Sequence, residues 1–255
     1  MDTIDDSIAI VTGAAQGLGL AIAKRLAEDG CNVSITDQNP LVIETAELIG
    51  ADAFIGNVGD PNHVKSVVDS VISAHGKIDI LVNNAGEVFP TGPTDDWEKT
   101  IQMFDRIFTS NTKGAYLFGR AVATSMMLNN SGHIINVSTD HVKPSPNSAR
   151  HHGHGNMDLY NASKWALNGL TFDWAKSLAK YNIRVNNLCV GATDTEMLRK
   201  WSGQNADPEW VKSWMRPEDV AGVLLAIIKE GPAGRTGDNV GLYAGFDCVL
   251  PLAET

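Results

Sequence analysis

Apolar positions along this chain change period in a regular alternation. Ser7-Ile8-Ala9-Ile10-Val11 is a short β-branched run, and from Leu20 to Gly30 the apolar residues Ile22, Ala23, Leu26 and Ala27 recur at helical spacing. The pattern repeats as strand 32–36, helix about 40–49, strand 51–55, helix about 60–75 and strand 78–82. Two helical stretches occupy 94–130 and 133–139 reads as a strand, while in 158–181 Leu159, Ala162, Ala166, Leu167, Leu170 and Leu178 again mark a helix. Arg216-Pro217-Glu218-Asp219-Val220 opens a last helix with proline early and acids in its first turn, as the helix dipole prefers, and 238–242 is a final strand. Such alternation with short loops predicts an α/β fold, a parallel sheet covered by helices on both faces with ligands at the carboxyl ends of its strands.

Composition narrows the field. A formal charge of −10 argues against a nucleic-acid or anionic-membrane surface. Met1 to Asp6 is acidic and leads straight into a strand, unlike a signal peptide, and the longest apolar run, 220–228, is broken by Gly222 and too short to span a bilayer. A cytoplasmic protein is expected. Cys31, Cys189 and Cys248 are widely spaced, odd in number and without a CxxC pair, so they are expected to be buried, reduced thiols.

The strand ends carry the chemistry. Strand, glycine turn and helix follow one another at Thr12-Gly13-Ala14-Ala15-Gln16-Gly17-Leu18-Gly19, where glycines let the backbone approach a pyrophosphate and a helix N-terminus offers unpaired N–H groups. Asp37 ends the next strand, placed to accept hydrogen bonds from the adenosine ribose hydroxyls; neither Gln16 nor Gln38 supplies the cation that a 2′-phosphate wants, so NAD is expected over NADP. Asn57-Val58 ends the third strand, either contacting adenine or building a turn, and Asn83-Asn84-Ala85-Gly86 ends the fourth. Asn111 lies among apolar helix positions, where a buried amide must find partners and can bend the helix. Ser138-Thr139 ends a strand in two hydroxyls. Tyr160 and Lys164, four apart on a helix, share one face, and a nearby cation lowers a phenol's pKa toward the range of acid/base work.

Taken together, the glycine turn, Asn83-Asn84-Ala85-Gly86, Asn111, the strand-end hydroxyl, Tyr160-x-x-x-Lys164 and Arg184-Val185-Asn186 before a glycine turn resemble a classical short-chain dehydrogenase/reductase, from about Ser7 onward. The resemblance implies a single-domain Rossmann fold over 1–255, a doubly wound parallel sheet of about seven strands, with a substrate loop at 140–158 and a lid at 192–215. By the same resemblance Tyr160 is the general acid/base, Lys164 binds the nicotinamide ribose and lowers the tyrosine pKa, and Asn111 holds a proton-relay water. Gly13, Gln16, Gly17, Leu18, Gly19, Asp37, Asn57, Val58, Asn84, Ala85, Gly86, Gly191, Thr193 and Thr195 join Tyr160 and Lys164 in binding the cofactor. A homotetramer or homodimer built partly on the helices near 100–130 and 158–181 is also implied, with the tail at a subunit interface.

Several positions depart from the family. An ungapped match puts Thr139 at the catalytic hydroxyl usually supplied by serine, with Ser138 as the alternative, and Val190-Gly191 replaces the common proline-glycine. The connection to Tyr160 is longer than usual. His141, two residues beyond Thr139, matches a histidine that helps hold the carboxylate in related hydroxybutyrate dehydrogenases, and Lys143, Arg150, His151, His152 and His154 follow it, so an anionic substrate is one expectation. Against it, Glu87-Val88-Phe89 stands where those dehydrogenases carry a glutamine. Trp201, Trp210 and Trp214 in the lid either stack on a substrate, Trp201 foremost, or pack the lid down. The function expected is NAD-dependent interconversion of a secondary alcohol and a ketone. The alternatives are a 3-oxoacyl reductase or a sugar or polyol dehydrogenase, or a non-catalytic dinucleotide-binding sensor. A metal on the histidines of 151–154 is weighed and set aside, because a glycine-broken histidine run without carboxylates is usually a solvated loop.

Overall fold

The computed structural model describes residues 4–143, 156–202 and 206–253. Along the chain run β1 (Ile8–Thr12), α1 (Gly17–Glu28), β2 (Asn32–Asp37), α2 (Val42–Ile49), β3 (Asp52–Ile55), α3 (Pro61–His75), β4 (Ile80–Asn83), α4 (Trp97–Phe108), α5 (Gly114–Asn129) and β5 (Gly132–Thr139). Then come α6 (Asp158–Leu178), β6 (Ile183–Val190), α7 (Glu196–Ser202), α8 (Pro208–Lys212), α9 (Pro217–Ile228) and β7 (Asn239–Leu242). β1 is buried at every residue because it lies inside the sheet, parallel to β2 on one side and β4 on the other, and a strand covered on both faces needs an unbroken apolar run. All seven strands are parallel, in the order β3-β2-β1-β4-β5-β6-β7. This is the doubly wound Rossmann sheet expected from the sequence.

Helices cover both faces. Ile22 and Leu26 of α1, Val42 of α2 and Leu224 and Ile227 of α9 form one apolar layer. Val64, Val67 and Val71 of α3, Phe118, Val122 and Met126 of α5 and Ala175 of α6 form the other. The strand order reverses between β1 and β4, so a crevice opens at their carboxyl ends. No helix among the described residues is long and apolar enough to cross a membrane.

Element boundaries differ from expectation where polar groups intervene. The two helical stretches of 94–130 are α4 and α5, joined by a π-helical turn, Thr109–Lys113, with buried Asn111 inside it. The strand expected from Ile78 begins at Ile80, and the Ile78 N–H donates to Ser125 Oγ instead of to a neighbouring strand. The helix expected through 181 leaves α geometry at Leu178 and closes as a 3₁₀ turn. The lid holds two short helices, α7 and α8.

A polar row crosses the otherwise apolar layer under α6. Asn83, Asn136, Asn187 and Asn239 are register partners on β4, β5, β6 and β7. Asn83 Nδ2 donates to Asn136 Oδ1 (2.9 Å), Asn136 Nδ2 to Thr171 Oγ1 (2.8 Å), and Thr171 Oγ1 to Asn187 Oδ1 (2.7 Å). Asn187 Nδ2 donates to Asn239 Oδ1 (2.7 Å) and to Asn168 Oδ1 (2.9 Å). Asn168 and Thr171 belong to α6, so the row locks that helix along the sheet as well as against it. Thr171→Val leaves two buried amides without their partner and should lower unfolding stability by about 1–3 kcal/mol, whereas Thr171→Ser should cost less; urea titrations of the two variants check this.

Candidate active site

The crevice is built around the glycine turn. Gly13 and Gly17 have φ of +66° and +60°, which residues with a Cβ rarely adopt. A Cβ on Gly13 would sit 2.6 Å from Ala85 Cα, and one on Gly19 would sit 2.2 Å from Gly13 O. The turn is therefore packed directly on the end of β4. Asn84, expected to face the cofactor, is partly buried and ties the turn to β4: its Nδ2 donates to Thr12 O (3.0 Å) and Gly13 O (2.9 Å). Thr12 Oγ1 accepts from the N–H groups of Asn84 (3.1 Å) and Ala85 (3.0 Å).

This cradle fits a dinucleotide. Gln16 makes no side-chain cap on α1. The first-turn N–H groups at Gly17, Leu18 and Gly19 are left without a capping side chain, as a pyrophosphate seat requires. Asp37 accepts from Ala15 N (3.1 Å) through one oxygen and from Asn39 N (2.9 Å) through the other, which fixes its carboxylate over the turn. Thr195 and Glu196, at the start of α7, reach Gly17, and Thr193 Oγ1 donates to Gly191 O (3.0 Å), so the loop after β6 closes on the same turn. Asn57 takes the turn-building option, its Oδ1 accepting from Gly59 N (2.8 Å), and Val58 is buried against Gly114.

Beside the crevice, α6 brings Tyr160 and Lys164 under the end of β5. Lys164 is buried and its Nζ donates to Val137 O (2.8 Å), 5.8 Å from the Tyr160 ring centre. The Tyr160 hydroxyl is hydrogen-bonded to the Thr139 hydroxyl. Ser138 does not share this contact: adjacent strand residues point to opposite faces, and its hydroxyl is buried without a full hydrogen bond, against the Cys189 thiol across the β5–β6 register. Asn111 is held inside its π-helical turn by three bonds: Oδ1 accepts from Glu87 N (2.7 Å), and Nδ2 donates to Glu87 O (3.0 Å) and Ser163 Oγ (3.0 Å). Ser163 Oγ in turn donates to Tyr160 O (2.7 Å).

The electrostatics correct one expectation. Lys164 was expected to lower the phenol's pKa, yet the depth of the crevice pushes Tyr160 up to about 12, with Thr139 opposing and Asp140 adding to the rise. Burial likewise pulls Lys164 down to about 8. The ammonium is aimed at a carbonyl rather than at the phenol oxygen, so desolvation outweighs the pair's attraction.

The remaining candidates separate. His141 follows Thr139, and its Nδ1 lies 2.8 Å from Asn161 Oδ1 with its ring edge-on to Tyr160. Arg150, His151, His152 and His154 lie outside the described residues. Trp214 is buried and meets Trp210 edge-to-face at 5.0 Å, so these two pack the lid down, while Trp201 on α7 stays partly exposed. The three cysteines are free thiols, Cys31 and Cys189 buried as expected and Cys248, in the segment after β7, only partly so. Two features escaped sequence reading: the bidentate Glu87–Arg106 pair (2.7 and 3.0 Å), which ties the turn after β4 to α4, and Asp140. The recurrence of Asn in the middle or at the end of successive strands was a visible signal for the amide row; nothing in the sequence tied Arg106 to Glu87.

A doubly wound sheet with a glycine turn at its switch point, and a tyrosine–lysine pair beside it, defines a dinucleotide-dependent oxidoreductase. The chain belongs to the short-chain dehydrogenase family, whose model matches residues 7–206. It is 30% identical to the 3-oxoacyl-acyl-carrier-protein reductase FabG of Thermotoga maritima over 95% of this chain and 98% of that protein. To the sorbitol-6-phosphate 2-dehydrogenase of Klebsiella pneumoniae it is 29% identical, covering 98% and 91%. A mutant short-chain dehydrogenase/reductase from Serratia marcescens superimposes with a TM-score of 0.83 at 27% identity, over 96% of this chain and all of that one. Members of the family use nicotinamide cofactors, NAD or NADP. The Gly19 contacts give a direct test of the cradle: Gly19→Ala must push the turn off β4 and should cost about 1–3 kcal/mol of stability together with a weakened affinity for a reduced nicotinamide dinucleotide, read by thermal melting and fluorescence titration.

Proposed function

We propose that the protein interconverts a secondary alcohol and a ketone with NAD(H). The observation that carries this reading is the hydroxyl pair of Tyr160 and Thr139 deep in the crevice, with Lys164 and Asn111 beside it. Tyr160 exchanges the proton of the substrate hydroxyl, and Thr139 holds the substrate oxygen in Ser138's stead. A threonine hydroxyl does this as serine does, with a stiffer side chain. Lys164 binds the nicotinamide ribose, and Asn111, fixed through the Glu87 backbone, holds the water through which the proton reaches solvent. The cofactor supplies the hydride donor or acceptor and, when oxidised, a positive charge. Gly13, Gln16, Gly17, Leu18 and Gly19 seat its pyrophosphate, and Asp37 takes the ribose hydroxyls. Gly86, Gly191, Thr193 and Thr195 border the nicotinamide end.

Self-association is part of the proposal. Trp97 (77% exposed), Ile101 and Phe104 of α4, Tyr116 of α5 and Trp165 (56%) and Phe172 of α6 leave an apolar surface on the helices expected at a subunit interface. A homodimer or homotetramer covers it.

Two outcomes are expected. NAD should exceed NADP in kcat/KM by about tenfold or more, a difference of about 1.4 kcal/mol, because Asp37 opposes a 2′-phosphate; comparable values would overturn the assignment. Tyr160→Phe should lower kcat by ~10²–10⁴-fold with NADH binding preserved. Thr139→Val should do likewise and Ser138→Ala far less. Unchanged turnover in Tyr160→Phe would remove the phenol from the chemistry, and no turnover by the wild type with dinucleotide binding kept would leave a binding role alone.

A further inference from the structure

The helix that carries Tyr160 begins without a cap of its own. The N-cap residue of α6 is Met157, no side-chain hydrogen bond caps the first turn, and Tyr160 lies in that turn. Helix ends fray more readily than helix interiors, and a phenol stands at the far end of a long side chain, so a slight unwinding displaces it. Lys164 is one turn further in, held by its bond to Val137 O, and Asn168 and Thr171 are held by the amide row. Those bonds fix the body of α6. Of the first turn, Asn161 Oδ1 faces His141 Nδ1 (2.8 Å) on the β5 side.

A segment distant in the chain holds the other side. Thr91, between β4 and α4, is 1% exposed, and its Oγ1 donates to Asp158 Oδ1 at 2.6 Å, the short contact of a hydroxyl with a carboxylate. The Leu159 N–H, a donor that a helix start leaves without a backbone partner, is shared between Asp158 Oδ1 (2.7 Å) and Thr91 Oγ1 (3.4 Å). The backbones are joined as well: Thr91 N donates to Asn156 O (2.9 Å), Asp158 N donates to Thr91 O (3.3 Å), and Thr91 and Met157 form a parallel bridge. Local residue choices suit the junction. Asn156 has a φ of +75°, which asparagine tolerates better than most residues, and a Cβ on Gly92 would come within 2.9 Å of Asn156 Oδ1. Met157 is buried, so the bridge is covered.

We propose that Thr91 is a positioning residue for Tyr160: it stands in for the missing cap of α6 and keeps the first turn wound, so that the phenol stays on the Thr139 hydroxyl. This rests on the alcohol–ketone reading above, in which Tyr160 exchanges the substrate proton. Thr91 spends its hydroxyl inside the protein and acts through Asp158. Without that hydroxyl the first turn loosens, while Lys164 and the glycine turn keep their partners. Proton transfer then suffers and dinucleotide binding does not, since a shift of about 1 Å at a reacting group costs up to about 10²-fold in rate.

The test compares the wild type with Thr91→Val, which keeps the shape and loses the hydroxyl, and Thr91→Ser, which keeps the hydroxyl. Amide hydrogen exchange is followed by mass spectrometry in the protein without ligand, and the Kd of NADH or NADPH, whichever binds, by fluorescence titration. Turnover is measured with NAD and NADP on 2-butanol, cyclohexanol, 1-phenylethanol and 3-hydroxybutyrate. Thr91→Val should speed exchange about tenfold at 159–163 and leave 167–178 unchanged. On the alcohol that the wild type oxidises fastest, kcat should fall about 10- to 100-fold while the dinucleotide Kd moves by less than about twofold. Thr91→Ser should restore most of the protection and turnover. If Thr91→Val does not fold, Asp158→Ala breaks the same bond at an exposed position and carries the same expectations. An unchanged kcat, a Kd weakened in step with kcat, exchange raised along the whole helix or nowhere, or a serine variant no better than valine overturns the proposal. Should the wild type turn over none of the four alcohols, the alcohol–ketone reading fails and exchange alone decides the cap: a rise confined to 159–163 that serine reverses supports it, and any other pattern overturns it.

Discussion

The placement of Tyr160 and Lys164 depends on how far α6 is allowed to slide along the sheet, and the hydrogen bonds through Thr171 resist that slide. Apolar packing alone resists separation far more than sliding, since Ala175 and its neighbours would find new apolar contacts one step along. Amides are directional. With Asn136 donating to Thr171 and Thr171 to Asn187, a shift of one helical turn would strand several buried polar groups at once. Tyr160, Lys164, Asn168, Thr171 and Ala175 recur at spacings of three and four, so one stripe of the helix carries the two candidate site residues at its N-terminal end, the polar lock in its middle and apolar contact beyond. Lys164 reaches Val137 O one residue past Asn136, which joins lock and site through a single strand.

The same device recurs on a smaller scale. Asn111 interrupts α-helical geometry because its amide bonds the Glu87 backbone and Ser163, and the π-helical turn is the local distortion that lets it do so. Asn84 ties the glycine turn to β4. Each polar residue at a strand end or helix break fixes one loop to one element, so the crevice is bordered by loops whose positions are dictated by the sheet.

How much of this was legible in the sequence depends on the range of the interaction. Strand and helix periods, the glycine turn, the strand-end aspartate and the Tyr160–Lys164 spacing are local patterns, and the fold follows from them. Asn136, Asn187 and Asn239 lie in three separate strands, and only the register makes them neighbours. Asn57 was read as either an adenine contact or a turn builder and Asn84 as a cofactor group by resemblance, and the sequence did not show that each side chain also has a backbone partner. Asp140 was passed over between a catalytic hydroxyl and a histidine, since sequence alone does not say that Gly191 leaves it room.

The pKa expectation failed for a reason that bears on how the site works. A cation four residues from a phenol lowers its pKa only if Coulomb attraction exceeds the cost of desolvating the phenolate, and Lys164 spends its charge on the Val137 carbonyl. Asp140 adds negative charge to the same neighbourhood. With Tyr160 near 12 and Lys164 near 8, the protein without ligand holds a protonated phenol at neutral pH. Ionising it requires positive charge from elsewhere in the crevice, and an oxidised nicotinamide carries such a charge whereas the reduced form does not. Under the proposed function burial holds the phenol protonated, and the charge of a bound oxidised nicotinamide would oppose that burial.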